Sequence, residues 1–281
     1  MQKLISYWSV KGGLDNTRPV AEAMDEAKAA GFDGIELAIA PEGVLNTSSD
    51  RKTCEVIRET ARKKDCVLET LAAGFAWGVP PTHLDESVRK KSIELHQAAL
   101  QRAAWIGAKA MLFVPGAVKI PWDASYGPVP YEQAAKWARE AIKRLAETAE
   151  KVGVDLCVEN VWNGLFYSPI EFAGLIDEFK SSPRVGIYFD VGNVLGLHQH
   201  PPHWINFLGK RIKRIHIKDF KTSIGNLSGF CDLTEGDVPW KEVMTALRNI
   251  GYDKTIVAEM MPPDETLLKR TKTAMDKIFA M

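Results

Sequence analysis

The 281-residue chain balances 36 basic against 36 acidic side chains, and 46% of its residues are hydrophobic. That composition suits a folded protein with a sizeable core and argues against a nucleic-acid or membrane-surface partner, either of which usually brings a basic excess or a basic block. Four cysteines (Cys54, Cys66, Cys157, Cys231) without a CxxC pair argue against a zinc ribbon or redox motif, and no apolar run nears the ~18 residues of a membrane span. With no extended apolar leader segment at the N-terminus, a cytoplasmic protein with reduced thiols is expected.

Along the chain, short β-rich runs alternate with longer segments of helical periodicity. The strand candidates are 3–9, 34–39, 66–73, 108–115, 154–161, 185–194, 212–220 and 254–260. Helices are predicted over 19–30, 50–64, 83–105, 131–152, 169–179, 240–249 and 264–279. Several helices close on a glycine and run straight into the next strand, as in "AAGFDGIEL", "WIGAKAMLF", "KVGVDLCVE" and "NIGYDKTIV". Strand-to-helix connections are longer and rich in Pro, Gly and aromatics. Eight such units without a linker predict an α/β fold, a single-domain (β/α)8 TIM barrel spanning 1–281. The doubly wound rival would favour GxGxxG after the first strand, and "WSVKGGLDN" does not match it.

In such a barrel, chemistry sits at the C-terminal strand ends. Glu36, Glu69, Glu159, Asp190, His216 and Glu259 each stand among apolar neighbours in a β-rich run. Buried carboxylates are costly unless paired, hydrogen-bonded or metal-bound. Glu159, Asp190, His216 and Glu259, on strands 5 to 8, would converge on one mouth. Three carboxylates and one imidazole suit one divalent metal ion, Mn²⁺ foremost, with Mg²⁺ or Co²⁺ as alternatives. Independent internal salt bridges are the bland alternative.

The pieces "EAKAAGFDGIELAI", "VENVW", "GIYFDVGNV", "KRIHIKDF", "EGDVPW" and "IVAEM" together resemble the xylose-isomerase-like sugar isomerase and epimerase superfamily. The branch most similar is that of hexulose-phosphate isomerases, L-ribulose/xylulose-5-phosphate 3-epimerases and ketose 3-epimerases. The resemblance implies that Glu159, Asp190, His216 and Glu259 bind the metal and that Glu159 and Glu259 also exchange protons with substrate. It implies an isomerase that inverts C3 of a ketose or ketose phosphate through a metal-stabilised cis-enediolate. The same apparatus would serve an aldose–ketose isomerase or a keto-inositol dehydratase, and a non-catalytic carbohydrate-binding barrel is the rival from another class. One departure stands out. Free-sugar ketose 3-epimerases usually carry histidine three residues after the strand 6 aspartate, where this chain has Asn193. The arginine those enzymes place beyond the strand 7 histidine is not evident in "KDFKTS".

Substrate contacts are expected from Trp8, Asn193, Lys218 and Lys221. The two lysines, at the end of strand 7, fit a phosphate handle; the alternative pairs Lys218 with a barrel carboxylate and leaves Lys221 in solvent. Trp8, Phe75, Trp77 and Trp162 could stack on a sugar or pack in the core. Glu36 and Glu69 could take sugar hydroxyls or neutralise a nearby Lys or Arg. "HQHPPH" reads as a proline-rich loop over the mouth, a lid or subunit contact before a second metal. The expected partner is a small-molecule sugar or sugar phosphate, with a homo-oligomer, dimer or tetramer, as the assembly.

Overall fold

The computed structural model describes residues 1–281. Eight parallel strands close on themselves: β1 (Gln2–Ser6), β2 (Gly34–Ala38), β3 (Thr70–Ala73), β4 (Ala110–Phe113), β5 (Asp155–Glu159), β6 (Val185–Asp190), β7 (Ile212–Ile217) and β8 (Thr255–Ala258), with β1 hydrogen-bonded to both β2 and β8. Outside the barrel run α1 (Val20–Ala29), α2 (Arg51–Lys63), α3 (Glu86–Ile106), α4 (Tyr131–Val152), α5 (Pro169–Asp177), α6 (Val191–Gly196), α7 (Pro201–Leu208), α8 (Trp240–Asn249) and α9 (Leu267–Phe279). The predicted (β/α)8 barrel is the observed fold.

Local chemistry sets these boundaries. The helices α3 and α4 end at Gly107 and Gly153, whose φ values of 88° and 74° lie in the left-handed region that a side chain resists. Asp50, Asp85 and Ser168 cap α2, α3 and α5 by accepting from backbone N–H groups one turn on. Two predicted segments change character. The run 185–194 is strand only to Asp190, because the Asp190 carboxylate accepts from Asn193 N at 2.8 Å and starts α6. The "HQHPPH" segment leads into α7 rather than forming a loop, since Pro201 and Pro202 suit the first helical turn, which needs no N–H donors.

Strand parity then divides the core. Outward side chains such as Phe189, Ile215 and Ile217 pack under the helices in one continuous cluster. Inward side chains form a second, smaller cluster around Ala72, Ala110, Leu112, Cys157 and Tyr188. The small alanines on β3 and β4 leave room for larger groups from β5, β6 and β7. Along β7, Arg214 and His216 are both buried, and Lys218 follows just beyond the strand at the mouth. Arg214, the deepest, pairs with Glu69 Oε2 at 3.2 Å. That contact fixes Glu69 as a neutralising partner, remote from the mouth.

Candidate metal centre and substrate cavity

Glu159 closes β5, Asp190 closes β6, His216 lies in β7 and Glu259 immediately follows β8. Register brings them level: Asp190 is the cross-strand partner of His216, and Val257 of β8 flanks His216 on the other side. One ligand atom from each of the four lies within 4.8 Å of the others, and all four residues are buried. His216 Nδ1 stands 3.6 Å from Glu159 Oε1 and 3.7 Å from Glu259 Oε2. The four residues singled out in the sequence are thus brought together.

Two of these groups lack what a buried polar atom ordinarily has. His216 Nδ1 and Asp190 Oδ2 have no hydrogen-bond partner, although Lys218 Nζ approaches Asp190 Oδ2 to 3.1 Å. Three buried carboxylates share the single Lys218 ammonium and His216 Nδ1 has no partner at all, which is costly unless a further cation meets them. The donor set therefore fits a divalent ion, with oxygen donors predominating and no thiolate.

Residues behind the group fix its orientation. Glu36 is fully buried; its Oε1 lies 2.6 Å from His216 Nε2 and its Oε2 accepts from Tyr188 OH at 2.5 Å. With Nε2 turned to a carboxylate, Nδ1 is left facing Glu159 and Glu259, an arrangement that sets the tautomer of a ligating histidine. Glu36 contacts neither a sugar site nor a Lys or Arg side chain, unlike either sequence expectation. Asn160 clamps β5 to β6, its Oδ1 accepting from Asp190 N and its Nδ2 donating to Asp190 O. Sequence reasoning passed over Asn160 and Tyr188. The "EN" pair at the end of β5 was the available signal for Asn160; nothing local marked Tyr188.

The electrostatics separate the two glutamates. Burial pushes Glu159 up to about 7, with the Glu259 charge adding to it. Glu259 suffers the same burial, yet the Lys218 ammonium and His216 outweigh it and hold its carboxyl below the usual range. Lys218 Nζ donates to Glu259 Oε2 at 2.5 Å. Burial opposes the charge on Lys218 and on His216, but the surrounding carboxylates raise both well above their ordinary values. Asp190 is raised, chiefly by burial.

Above the cluster opens a cavity of about 700 Å³, lined by 25 residues of which 17 are hydrophobic. Glu159 and Glu259 form part of its wall, so it is continuous with the candidate metal centre. Of the proposed substrate contacts, Trp8, Asn193 and Lys218 line it and Lys221 does not. Trp8 lies in the turn after β1, edge-on to Gly74, where a Cβ would approach its ring to 2.8 Å; glycine makes that contact possible. Asn193 Nδ2 donates to Asn160 O at 2.9 Å, so part of its hydrogen-bonding capacity serves the β5–β6 clamp. Phe75, Trp77 and Trp162 also face the cavity.

The histidine-rich segment stands elsewhere. His200 Nε2 lies 3.1 Å from Glu242 Oε2 of α8, and the His200 and His203 rings are 4.6 Å apart. None of His198, His200 and His203 lines the cavity, so they form no lid over it.

A family model described as a xylose isomerase-like TIM barrel matches residues 24–278. An uncharacterized protein, MJ1311 of Methanocaldococcus jannaschii, is 25% identical over 183 residues, which are 64% of this chain and 60% of that protein. The putative L-ribulose-5-phosphate 3-epimerase SgbU of Escherichia coli is 24% identical over 248 residues, covering 83% of this chain and 81% of that one. Among solved structures, D-psicose 3-epimerase of Clostridium cellulolyticum H10 superposes with a TM-score of 0.81 at 17% identity, over 99% of this chain and 98% of the other. At that identity the superposition speaks for the fold.

Proposed function

The chain belongs to the xylose isomerase-like TIM-barrel family, and from that premise and the strand-end geometry we propose that it is a sugar epimerase of the isomerase class. The reaction we propose is inversion at the carbon beside a ketose carbonyl, C3, by proton removal on one face and return on the other. The observation that carries this reading is the pair Glu159 and Glu259, which face one cavity from the ends of β5 and β8. SgbU, named as a putative L-ribulose-5-phosphate 3-epimerase, lends support.

Glu159, Asp190, His216 and Glu259 would hold the ion. A divalent cation bound there supplies Lewis-acid polarisation of a carbonyl, which makes the neighbouring C–H more acidic. The remaining work falls to side chains of this chain. Glu259, kept ionised by Lys218, is the group suited to take the proton. Glu159, facing the same cavity from the end of β5, is the second carboxyl through which a proton can return. The ring of Trp8 and the other cavity aromatics exclude water from the carbanionic carbon. Asn193 offers hydrogen bonds to a sugar oxygen and carries no proton, so it positions without exchanging.

The test is a panel of ketoses in D₂O with added Mn²⁺, followed by NMR. Deuterium at C3 with an inverted product is expected; an aldose product would instead indicate isomerisation. Glu259→Gln and Glu159→Gln should each lower turnover by about 10²–10⁴-fold, the ordinary worth of acid–base catalysis. Undiminished turnover in either variant would overturn the two-glutamate reading.

A further inference from the structure

We infer that the substrate is an uncharged keto sugar carrying an apolar substituent, such as an aryl glycoside with a ring ketone at C2, beside the C3 that inverts, and not a ketose phosphate. This assignment rests on the epimerase reading above and concerns what fills the rest of the cavity.

Size argues first. A hexulose has six carbons and six oxygens. Allowing each heavy atom the whole share of a liquid water, roughly 30 Å³, it fills at most about 360 Å³. The cavity measures about 700 Å³. Half of it is left over, outward of the carboxylates.

The leftover half is walled for an apolar group. Leu14, Trp122, Leu227 and Met261 line the cavity while remaining 41–56% exposed, and they follow β1, β4, β7 and β8 respectively. Four separate loops thus present large apolar side chains around one opening. Trp122 meets Trp77 edge to face at 4.7 Å, and Phe230 stacks on Trp162 at 5.1 Å, giving two aromatic walls. Aromatic faces of this kind hold a flat ring by burial and by offset or edge contacts.

Charge argues against phosphate. Lys218 is the only Lys or Arg lining the cavity, and its ammonium is already engaged by Glu259 and Asp190. The carboxylates of Glu159, Asp190 and Glu259 are balanced by Lys218 and a divalent ion, which leaves no surplus positive charge for a phosphate dianion. Burying such a dianion against apolar walls without a free cation is strongly unfavourable.

Calorimetric titration of the metal-loaded protein with unoxidised glycosides isolates binding from turnover. Phenyl β-D-glucopyranoside should bind about tenfold or more tightly than methyl β-D-glucopyranoside, from the ring area buried. Trp122→Ala and, separately, Leu227→Ala should remove most of that preference while binding of the methyl glycoside persists. In D₂O, a phenyl glycoside bearing a ring ketone should exchange faster than D-fructose or D-fructose 6-phosphate. Equal binding of the two glycosides, or tighter binding of D-fructose 6-phosphate than of either, overturns the inference. So does a dimer that Trp122→Ala dissociates and in which the phenyl group confers no advantage, because a second copy would then cover the rim. The two readings fail separately. Exchange of a ketose phosphate that Glu259→Gln abolishes would retain the epimerase and refute the substrate class. A phenyl preference without exchange in any sugar would retain the apolar subsite and refute the epimerase.

Discussion

Replacing Glu36 by glutamine tests whether the residue behind His216 governs the metal centre. Glu36 reaches no solvent and accepts at both oxygens, from Tyr188 OH at 2.5 Å and opposite His216 Nε2 at 2.6 Å. Glutamine preserves the shape but offers only one acceptor atom. Its amide NH₂ must face either the ring nitrogen or the phenol, so one contact becomes donor against donor or is re-formed with the phenol's own proton orphaned. After burial, which opposes it, the Glu36 charge is the largest influence on His216 and raises its proton affinity; its loss makes the imidazole a poorer donor to a cation. Partners of this kind are worth about 10–100-fold in metal affinity, or ~1.4–2.7 kcal/mol. The assay is Mn²⁺ titration followed by the paramagnetic resonance of the free aqua ion, with circular dichroism to establish that the variant is folded. Glu69→Gln serves as the control, since Glu69 pairs with Arg214 deeper in the barrel and should leave Mn²⁺ affinity unchanged. A folded Glu36→Gln protein whose Mn²⁺ affinity stays within about twofold of the parent would refute the reasoning.

Other consequences can be measured independently. Because burial holds a proton on Glu159 up to about 7, Mn²⁺ must displace it below that pH. His216, which the surrounding carboxylates raise well above its ordinary value, must give up its proton as well, so affinity should climb from about pH 5 through 7 and beyond, with proton release seen as buffer-dependent binding enthalpy; a flat profile would contradict the assignment. His96 is fully buried between Phe75 and Phe113, and burial pushes it down to about 4. An unfolded histidine gains its proton near 6.5, so the folded state is at full advantage above that pH and loses it as pH falls through 6.5 towards 4. The loss is on the order of 3 kcal/mol, and His96→Phe should flatten this part of the urea-stability profile. Asp219 accepts from the backbone N–H groups of Phe220, Thr234 and Val238 and from Trp240 Nε1. Asp219→Ala should cost about 3 kcal/mol or more and speed hydrogen exchange first in the segment 221–239, which carries Leu227 and Phe230 to the cavity. At Gly196 an added Cβ would fall 1.7 Å from Trp162 Cζ2. Gly196→Ala should therefore cost about 1–3 kcal/mol by overpacking and displace the indole, seen as an altered near-ultraviolet spectrum.

Much of the barrel was legible because its signals are local. Glycines such as Gly107 and Gly153 mark helix ends by backbone conformation alone, and period-two alternation in "RIKRIHIKDF" separates Ile215 and Ile217 from His216 whatever the rest of the chain does. Glu159, Asp190, His216 and Glu259 could be named together because a charged residue in an apolar run is costly and each stands in one of the last four predicted strands. Where a side chain finds its partner is another matter. Glu36 is separated from His216 by 180 positions and from Tyr188 by 152, so only closure of the barrel brings them together. The same closure sends Glu69 to Arg214 and Lys218, the one Lys or Arg lining the cavity, to Glu259 and Asp190. Asp190 shows the limit from the other side: a residue that reads as mid-strand ends the strand, because its carboxylate caps a helix that periodicity did not reveal. The sequence by itself determined the order of strands and helices and which strand ends carry charge, since backbone preference and burial cost act within a few residues. Tertiary structure decided which charges neutralise one another and how much apolar wall remains above them, because those depend on distances that no neighbouring residue sets.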